Sequence, residues 1–270
     1  MFTSDISEDR KAYLVKKRRR AFCKNLCRTA LFVLFILLWE FLGRWGIIDP
    51  FIFSSPVRIL DMCVRLFKSG ELQYHTMVTS LEALTGFAAG TAIGILVSSL
   101  LWRCEFFKDV AEPYLVILNA LPKIALGPVF IVWLGSGFSS IVVIALTVSV
   151  VVSILEILSG FLQTDKDMIR LVESMGGTKR DVLFRVVFPA NIKNIVSSLK
   201  INMGMSWVGV IVGEFLISKA GLGYLIVYGS QVFKLDLVMA SVVILALAAG
   251  LMYLLIEFAE RLFEKKSRHF

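Results

Sequence analysis

Six long apolar segments constrain this chain more than any other feature of its sequence. A helix needs about 20 apolar residues to cross the hydrocarbon core of a bilayer. Segments of this kind cover residues 28–45, 81–102, 110–134, 138–158, 199–217 and 237–258. Of the 270 residues, 57% are hydrophobic and 19% are charged, a balance that would leave a water-soluble domain with large apolar patches. The sequence therefore predicts an all-α integral membrane protein with six transmembrane helices, and it excludes a disordered chain.

Lysines and arginines are distributed unevenly among the segments that connect these spans. With the N-terminus inside the cell, 22 of the 29 lie on the cytoplasmic side, six lie outside and Lys123 lies within a span. Because cationic loops stay preferentially in the cytoplasm, we expect both termini there. The net charge of +8 follows from this bias and suits contact with anionic membrane lipid. The basic run at 16–20 lacks the aromatic partners of a nucleic-acid site, so no nucleic acid is expected.

The expected organisation is a basic cytoplasmic segment (1–28), a transmembrane domain (29–264) and a cytoplasmic tail (265–270). The first span is predicted to be retained, because Glu40, Gly43 and Arg44 follow it where a signal peptide would carry small residues for cleavage. Cys23 and Cys27 have no nearby His or Cys to complete a metal site, so no metal is expected.

A long insert, residues 160–198, separates the fourth span from the fifth, and its pattern is helical. Thr164 or Asp165 can cap a first helix, apolar residues recur along it at helical spacing, and Gly176-Gly177 can end it. A second helix is predicted over 179–188, with Pro189 marking its end. The apolar stripe of the first helix consists of Met168, Ile169, Val172 and Met175. A second interpretation stays open, in which the insert is an amphipathic loop lying on anionic lipid.

The insert resembles a signature of ABC importer permeases, which reads EAA, three residues, Gly, nine residues, Ile, one residue and Leu-Pro. Here Gly176 is followed by nine residues, Val186, one residue and Phe188-Pro189. The EAA positions hold Arg170, Leu171 and Val172, and Glu173 follows them. The spacing of the signature is thus present, while its acidic and small residues are absent.

Three further segments resemble the nitrate/sulfonate/taurine branch of that family, which also includes importers of vitamin precursors. They are LPKIALGPVFIVWLGSG (121–137), GEFLISKAGLGYLI (213–226) and FIFSSPVRIL (51–60). The resemblance extends over about residues 31–263. It implies a type I ABC importer permease fold in a bacterial plasma (inner) membrane, with a coupling-helix insert between helices four and five.

The resemblance also implies the partners of the chain. Family members form dimers, here expected to be homodimers, whose inserts dock on a separate ATPase subunit, and an extracytoplasmic binding protein delivers the solute. ATP would bind the ATPase, because this chain lacks a G-x-x-x-x-G-K-[ST] loop, so neither a cofactor nor enzymatic activity is expected here. The expected coupling residues are Met168, Arg170, Leu171, Val172, Glu173, Met175, Gly176, Gly177, Thr178, Lys179, Arg180, Val186, Phe188 and Pro189.

Ionisable residues within a span usually face a partner or water. Lys123 follows Pro122 and precedes Pro128, in a span that cannot form one regular helix because each proline removes a backbone hydrogen bond. A cation there would suit an anionic solute, although snorkelling or pairing with Glu214 or Glu156 is an equally open explanation. The candidate translocation path comprises Asn119, Pro122, Lys123, Asn202, Ser206, Trp207 and Glu214.

Functions of other classes are weighed against this interpretation. A secondary transporter or channel would require an ion site or repeated halves, and it would give the insert no purpose. A membrane enzyme would require a clustered nucleophile, base or metal set, but the two histidines, His75 and His269, are far apart in the sequence. A purely structural membrane protein would also leave the insert unexplained. The solute itself, whether a sulfonate, nitrate, taurine, another small anion or a vitamin precursor, is not specified by this chain.

Overall fold

The computed structural model describes residues 8–217 and 219–267, with side chains described for all of these except 8–12, 14, 21 and 262–267. Residues 1–7 of the expected N-terminal segment and 268–270 of the expected tail therefore lie outside the described residues. The chain divides into two compact units, residues 1–62 and 63–270.

The described part of the first unit consists of one long helix, a single-turn helix and the start of an amphipathic one. Helix α1 covers Glu8–Arg44, α2 covers Pro50–Phe53, and α3, Pro56–Ser69, begins in this unit. At the end of α1, Glu40 accepts a hydrogen bond from Arg44 at 2.8 Å and another from the Val57 amide at 3.1 Å. Asp49 caps α2 by accepting from the Phe51 amide at 2.8 Å.

The second unit is also helical, and no strand occurs in the part of the chain that the structure describes. Its helices are α4 (Glu71–Arg103), α5 (Glu105–Ala120), α6 (Gly127–Leu134), α7 (Phe138–Leu162), α8 (Lys166–Ser174), α9 (Lys179–Val182), α10 (Phe188–Ala190), α11 (Ile192–Ile217), α12 (Leu222–Gln231) and α13 (Leu235–Ser267).

Within the described residues, five helical segments are long and apolar enough to cross a membrane. They are Val15–Arg44, Glu71–Arg103, Phe138–Leu162, Ile192–Ile217 and Leu235–Arg261. A sixth span arises if the bent pair Glu105–Ala120 and Lys123–Leu134 is counted as one. The all-α prediction is confirmed, and so is the number of spans when the bent pair is included.

The third predicted span, 110–134, is not one continuous helix. Its two halves meet at an angle of 85°. Leu121 is extended (φ −63°, ψ 141°), as the residue before a proline prefers, and Pro122 has no amide hydrogen to continue the helical ladder. A short 3₁₀ helix, Lys123–Leu126, connects this break to α6.

Helices α4, α7 and α11 pack closely because small residues face one another. A Cβ atom added to Gly94 would lie 2.6 Å from Ser153 Cβ, and one added to Gly90 would lie 2.7 Å from Ser149 Oγ. A Cβ atom added to Gly86 would likewise lie 2.9 Å from Ala145 Cβ. The four-residue repeat of glycines thus allows α4 to approach α7. Around this contact lies an apolar core that includes Ala83, Ile141, Ala145, Met203, Trp207, Val210 and Met252.

Candidate functional site

The insert between α7 and α11 is closed at its base by hydrogen bonds between its two ends. Asn191, directly before α11, donates from Nδ2 to Thr164 Oγ1 at 2.6 Å and to the Val187 carbonyl at 2.9 Å. Its Oδ1 accepts from Asn194 Nδ2 at 3.0 Å. Both Asn191 and Thr164 are buried. The end of α7 and the start of α11 are therefore joined at the base of the insert by the hydrogen bond between Thr164 and Asn191.

Side-chain caps begin both short helices of the insert. Asp165 accepts from the Asp167 amide at 2.9 Å, so Asp165 is the cap of α8. Thr178 and Asp181 form a capping box at α9, in which each side chain accepts from the backbone amide of the other residue. The hydrogen bonds from Thr178 hold the pKa of the Asp181 carboxyl below its usual value. The start of each helix is therefore specified by its own side chains.

The turn between these helices is a Schellman motif. The Gly177 amide donates to the Val172 carbonyl at 2.9 Å, and the Gly176 amide donates to the Glu173 carbonyl at 3.0 Å. Gly176 has φ +86°, the left-handed region that glycine adopts without strain. A Cβ atom on Gly177 would lie only 2.6 Å from Val172 Cγ1. Each glycine is thus required for a different physical reason.

The second helix of the insert continues further than its sequence predicts. It was expected to end at Phe188, before Pro189, but α9 leads into a π-helical turn, Leu183–Val187, and then into α10, which contains Pro189. The Phe188 amide donates to the Leu183 carbonyl five residues back. This wider turn takes the place of the regular ladder that a proline ring would disrupt, so the proline is tolerated within the helix.

The inner face of the insert packs on the end of α7. The Phe188 ring lies 5.2 Å from the Phe161 ring. Ile169 and Val172 of α8 pack at the margin of this apolar cluster. The buried members of the cluster are Ile157, Phe161, Val182, Leu183, Val186 and Val187. The insert is therefore anchored by a core of its own.

The outer face of α8 presents an apolar row. Met168, Leu171 and Met175 are 54%, 60% and 80% exposed, and their spacing places them on one side of the helix. The predicted stripe is thus divided: Ile169 and Val172 face the insert core, while Met168 and Met175 join Leu171 on the outside. An exposed apolar row on a helix that packs against the insert core is the kind of surface that a partner protein covers.

The charged residues of the insert contact nearby groups. Arg170, at the first EAA position, lies 3.7 Å from Asp167 and both are exposed; Glu173 is exposed as well. Lys179 donates to the Arg103 carbonyl at 3.4 Å. The Arg180 guanidinium lies 5.9 Å from the centre of the Phe184 ring.

Three of the candidate path residues lie in the helix contact between α11 and α4. Asn202 donates to Thr91 Oγ1 at 2.6 Å, and Ser206 donates to the Ala83 carbonyl at 2.8 Å. Asn202, Ser206 and Trp207 are all buried. Asn202 and Ser206 thus link α11 to α4 by hydrogen bonds.

Glu214 lies in a buried polar cluster that the sequence did not indicate. Its Oε1 accepts from Thr79 Oγ1 at 2.7 Å, and its Oε2 accepts from the Gly223 amide. The Gly221 amide donates to His75 Nδ1 at 2.9 Å. The side chain of Glu82, also buried, lies beside that of Glu214. This cluster fastens the start of α12 to α4.

The remaining path candidates lie at the break of the bent span. Lys123 Nζ donates to Asn119 Oδ1 at 3.1 Å across the break, and the Lys123 amide donates to the Leu121 carbonyl at 2.8 Å beside Pro122. Lys123 is partly exposed. Among the described residues no carboxylate forms an ion pair with it, so the structure does not bring Lys123 to Glu214 or to Glu156.

Two groups of candidates are thus brought together: the insert residues on one anchored unit, and Asn119 with Lys123 at the helix break. Within residues 8–217 and 219–267, no three His, Cys, Asp or Glu side chains come together in a way that could hold a metal ion. The sequence analysis did not connect Thr164 with Asn191 at the base of the insert, nor His75, Thr79 and Glu82 with Glu214.

Sequence comparison places this arrangement among known proteins. Residues 90–269 match the family described as binding-protein-dependent transport system inner membrane component. The putative aliphatic sulfonates transport permease protein SsuC of Bacillus subtilis is 26% identical over 246 residues, which are 91% of this chain and 88% of that protein. The formylaminopyrimidine transport permease protein ThiX of Halalkalibacterium halodurans is 28% identical over 197 residues, 73% of this chain and 78% of that protein.

Structure comparison gives the same fold. A chain from the crystal structure of an amino acid ABC transporter superposes with a TM-score of 0.57 at 19% identity. The match covers 75% of this chain and 97% of that chain. The type I ABC importer permease fold is therefore confirmed.

Proposed function

The chain belongs to the family of binding-protein-dependent transport system inner membrane components, and we propose that it couples ATP hydrolysis on a separate ATPase subunit to the import of a small anion. Its family membership makes it a multi-pass membrane permease subunit of an ABC importer. The proposal concerns how this subunit is coupled, what it carries and how it is oriented.

The observation that carries the proposal is the anchored insert with its exposed apolar row. Force reaches the membrane spans only if the segment that receives it is stiff, and here the base is closed by Asn191 and Thr164 at 2.6 Å. The row of Met168, Leu171 and Met175 offers the ATPase an apolar contact of the helix-in-groove kind. Movement of the docked row would pass through the insert core directly into α7.

The proposed solute is anionic. Lys123 places an amine at the break of a span, where freed backbone groups must face protein or water, and its contact is a neutral amide, Asn119. A cation without a carboxylate partner in a water-filled path would attract a sulfonate or a similar anion. The name of the Bacillus subtilis relative, which refers to aliphatic sulfonates, supports this class.

Two further parts of the proposal concern assembly and orientation. A second copy of the chain would complete the path as a homodimer, and an extracytoplasmic binding protein would supply the solute. Both termini and the insert would lie in the cytoplasm, as the distribution of lysines and arginines predicts. A labelling scan tests the orientation: with the native cysteines replaced, Ser136→Cys should react from outside, and Thr178→Cys only after the membrane is opened. The reverse pattern would overturn the topology.

Reconstituted transport tests the function as a whole. Vesicles that contain the permease, its ATPase and its binding protein should accumulate a sulfonate such as taurine only when ATP is present on the side of the membrane where the ATPase lies. A binding protein of another importer serves as the control and should support no uptake. Uptake that persists without ATP and follows an imposed ion gradient would instead establish a secondary transporter.

A further inference from the structure

Two apolar grooves lie on either side of the last turns of α4. The larger, with a volume of about 830 Å³, is formed between α4 and the start of α5 and is lined by residues that include Leu100, Phe107 and Val110. The smaller, about 530 Å³, is formed between α4 and the second helix of the insert, with Leu96 and Phe184 in its walls. Both are open, and their linings are predominantly apolar.

Each groove has cations in its lining, and among the described residues no acidic side chain lines either groove. Arg103 lines both grooves, Lys179 lines the larger and Arg180 lines the smaller. Lys179 is held beside Arg103 by its hydrogen bond to the Arg103 carbonyl, and Arg180 is held over the Phe184 ring. Three positive charges from α4 and the insert thus belong to the linings of the two grooves, and Arg103 is common to both.

The smaller groove is about as long as one leaflet of a bilayer is thick. The α4 residues in its lining extend from Ala92 to Arg103, and at a rise of about 1.5 Å per residue this stretch is about 16 Å long. The larger groove is lined by the shorter α4 stretch from Val97 to Arg103. The hydrocarbon core is about 30 Å thick, so the smaller groove reaches about halfway through it. Ala92–Arg103 also belongs to a segment long and apolar enough to cross the membrane.

We propose that these grooves bind one anionic phospholipid, with its acyl chains beside α4 and its phosphate among Arg103, Lys179 and Arg180. Apolar walls suit acyl chains, and a cation cluster at the membrane surface suits an anionic headgroup. An ATPase subunit could contact the two insert cations, but a cytoplasmic protein cannot fill a groove that extends about 16 Å along a membrane-spanning helix.

The lipid would serve as a bridge between α4 and the insert. The inference rests on the proposed function in one respect, because it assigns the insert and the phosphate to the cytoplasmic leaflet. Arg103 belongs to a membrane span, whereas Lys179 and Arg180 belong to the insert, so one phosphate would hold the insert against the bilayer surface. The permease would then depend on anionic lipid for full coupling.

Lipid retention by the purified chain tests this site without any partner. The chain is purified from membranes into mild detergent and supplied with phosphatidylglycerol or phosphatidylcholine. Native mass spectrometry then measures how much of each lipid stays bound. Each cation near an anionic headgroup increases the affinity for the lipid by a factor of about five. The triple variant Arg103→Gln, Lys179→Gln, Arg180→Gln should therefore retain phosphatidylglycerol about 100-fold less tightly.

A matched variant controls for the loss of three charges. Arg65→Gln, Lys68→Gln and Lys234→Gln remove three exposed cations from elsewhere and should leave retention unchanged, with both variants eluting as folded protein. Equal retention of phosphatidylglycerol by the triple variant and the wild type would overturn the proposal, as would equal retention of the two lipids by the wild type. ATPase binding is measured separately, so a failure of this site is distinguishable from a failure of the importer function.

Discussion

Replacing Gly177 with alanine adds a single methyl group at the tightest point of the insert. That methyl would lie 2.6 Å from Val172 Cγ1 and 2.8 Å from the Val172 carbonyl oxygen. Because Val172 packs at the margin of the insert core, it has little freedom to yield. Overpacking of this kind costs about 1–3 kcal/mol, which lowers the equilibrium ratio of the native turn to its alternatives by a factor of about 5–150.

The assay is solute uptake together with solute-stimulated ATP hydrolysis in vesicles that contain the whole importer. Gly177→Ala should lower both rates, with that factor as the upper limit of the loss, and the larger Gly177→Leu should lower them further. The amount of permease in the membrane should stay normal, because the substitution lies between α8 and α9 and outside every span.

Two further glycines separate steric crowding from backbone strain. Gly176→Ala meets no atom within 4 Å but holds φ +86°, which costs a non-glycine residue about 1–2 kcal/mol; Gly176→Asn should be milder, because asparagine tolerates this region. Gly204→Ala, also with nothing within 4 Å, should leave transport intact. Wild-type uptake by both Gly177 variants at normal protein levels would refute the role of the turn.

Three other predictions concern the base of the insert, its cap and the helix break. Asn191→Ala leaves Thr164 without its buried donor, a loss of about 1–3 kcal/mol, and should lower the thermal stability of the detergent-solubilised chain; an unchanged melting curve would count against the closed base. The pKa of Asp181 is lowered by Thr178, so this cap stabilises α9 above the ordinary pKa of aspartate and the effect is lost as the pH falls through the lowered value. Thr178→Ala, worth about 1 kcal/mol, should move the loss of hydrogen-exchange protection in α9 to higher pH, and an unmoved profile would contradict the capping box. Lys123→Gln should reduce sulfonate uptake while uptake remains coupled to ATP hydrolysis, whereas Lys123→Arg should preserve most of the uptake. Equal uptake by the two variants would contradict a role for the Lys123 charge in the translocation path.

Hydropathy was sufficient to predict the class of fold and the number of spans, but it misplaced several helix ends. Helix α4 begins at Glu71, ten residues before the apolar run that predicted it, and α11 begins at Ile192 rather than near 199. An apolar run marks only the part of a helix that lies in hydrocarbon, because the helix itself continues wherever its backbone hydrogen bonds do. The break at Pro122 was predictable, since a proline acts locally.

The insert was predictable for the same local reason. The caps at Asp165 and Thr178 and the glycine pair are encoded within a few residues of the structure that they form. The contacts that fasten the site are different. Asn191 and Thr164 are 27 residues apart in the sequence, and Thr79 and Glu214 are 135 apart. No spacing rule joins such residues, so the buried partners of Glu214 were not predicted.

Binding of the ATPase subunit tests the central claim most directly. The detergent-solubilised chain is used to capture the ATPase, alongside a variant in which residues 165–180 are replaced by a Gly/Ser linker of the same length. A third sample, Met168→Ser with Leu171→Ser and Met175→Ser, removes only the exposed apolar row. The account predicts that the ATPase binds the intact chain and neither variant. Equal binding by the intact chain and the linker variant, or no ATPase bound by the folded intact chain, would contradict it.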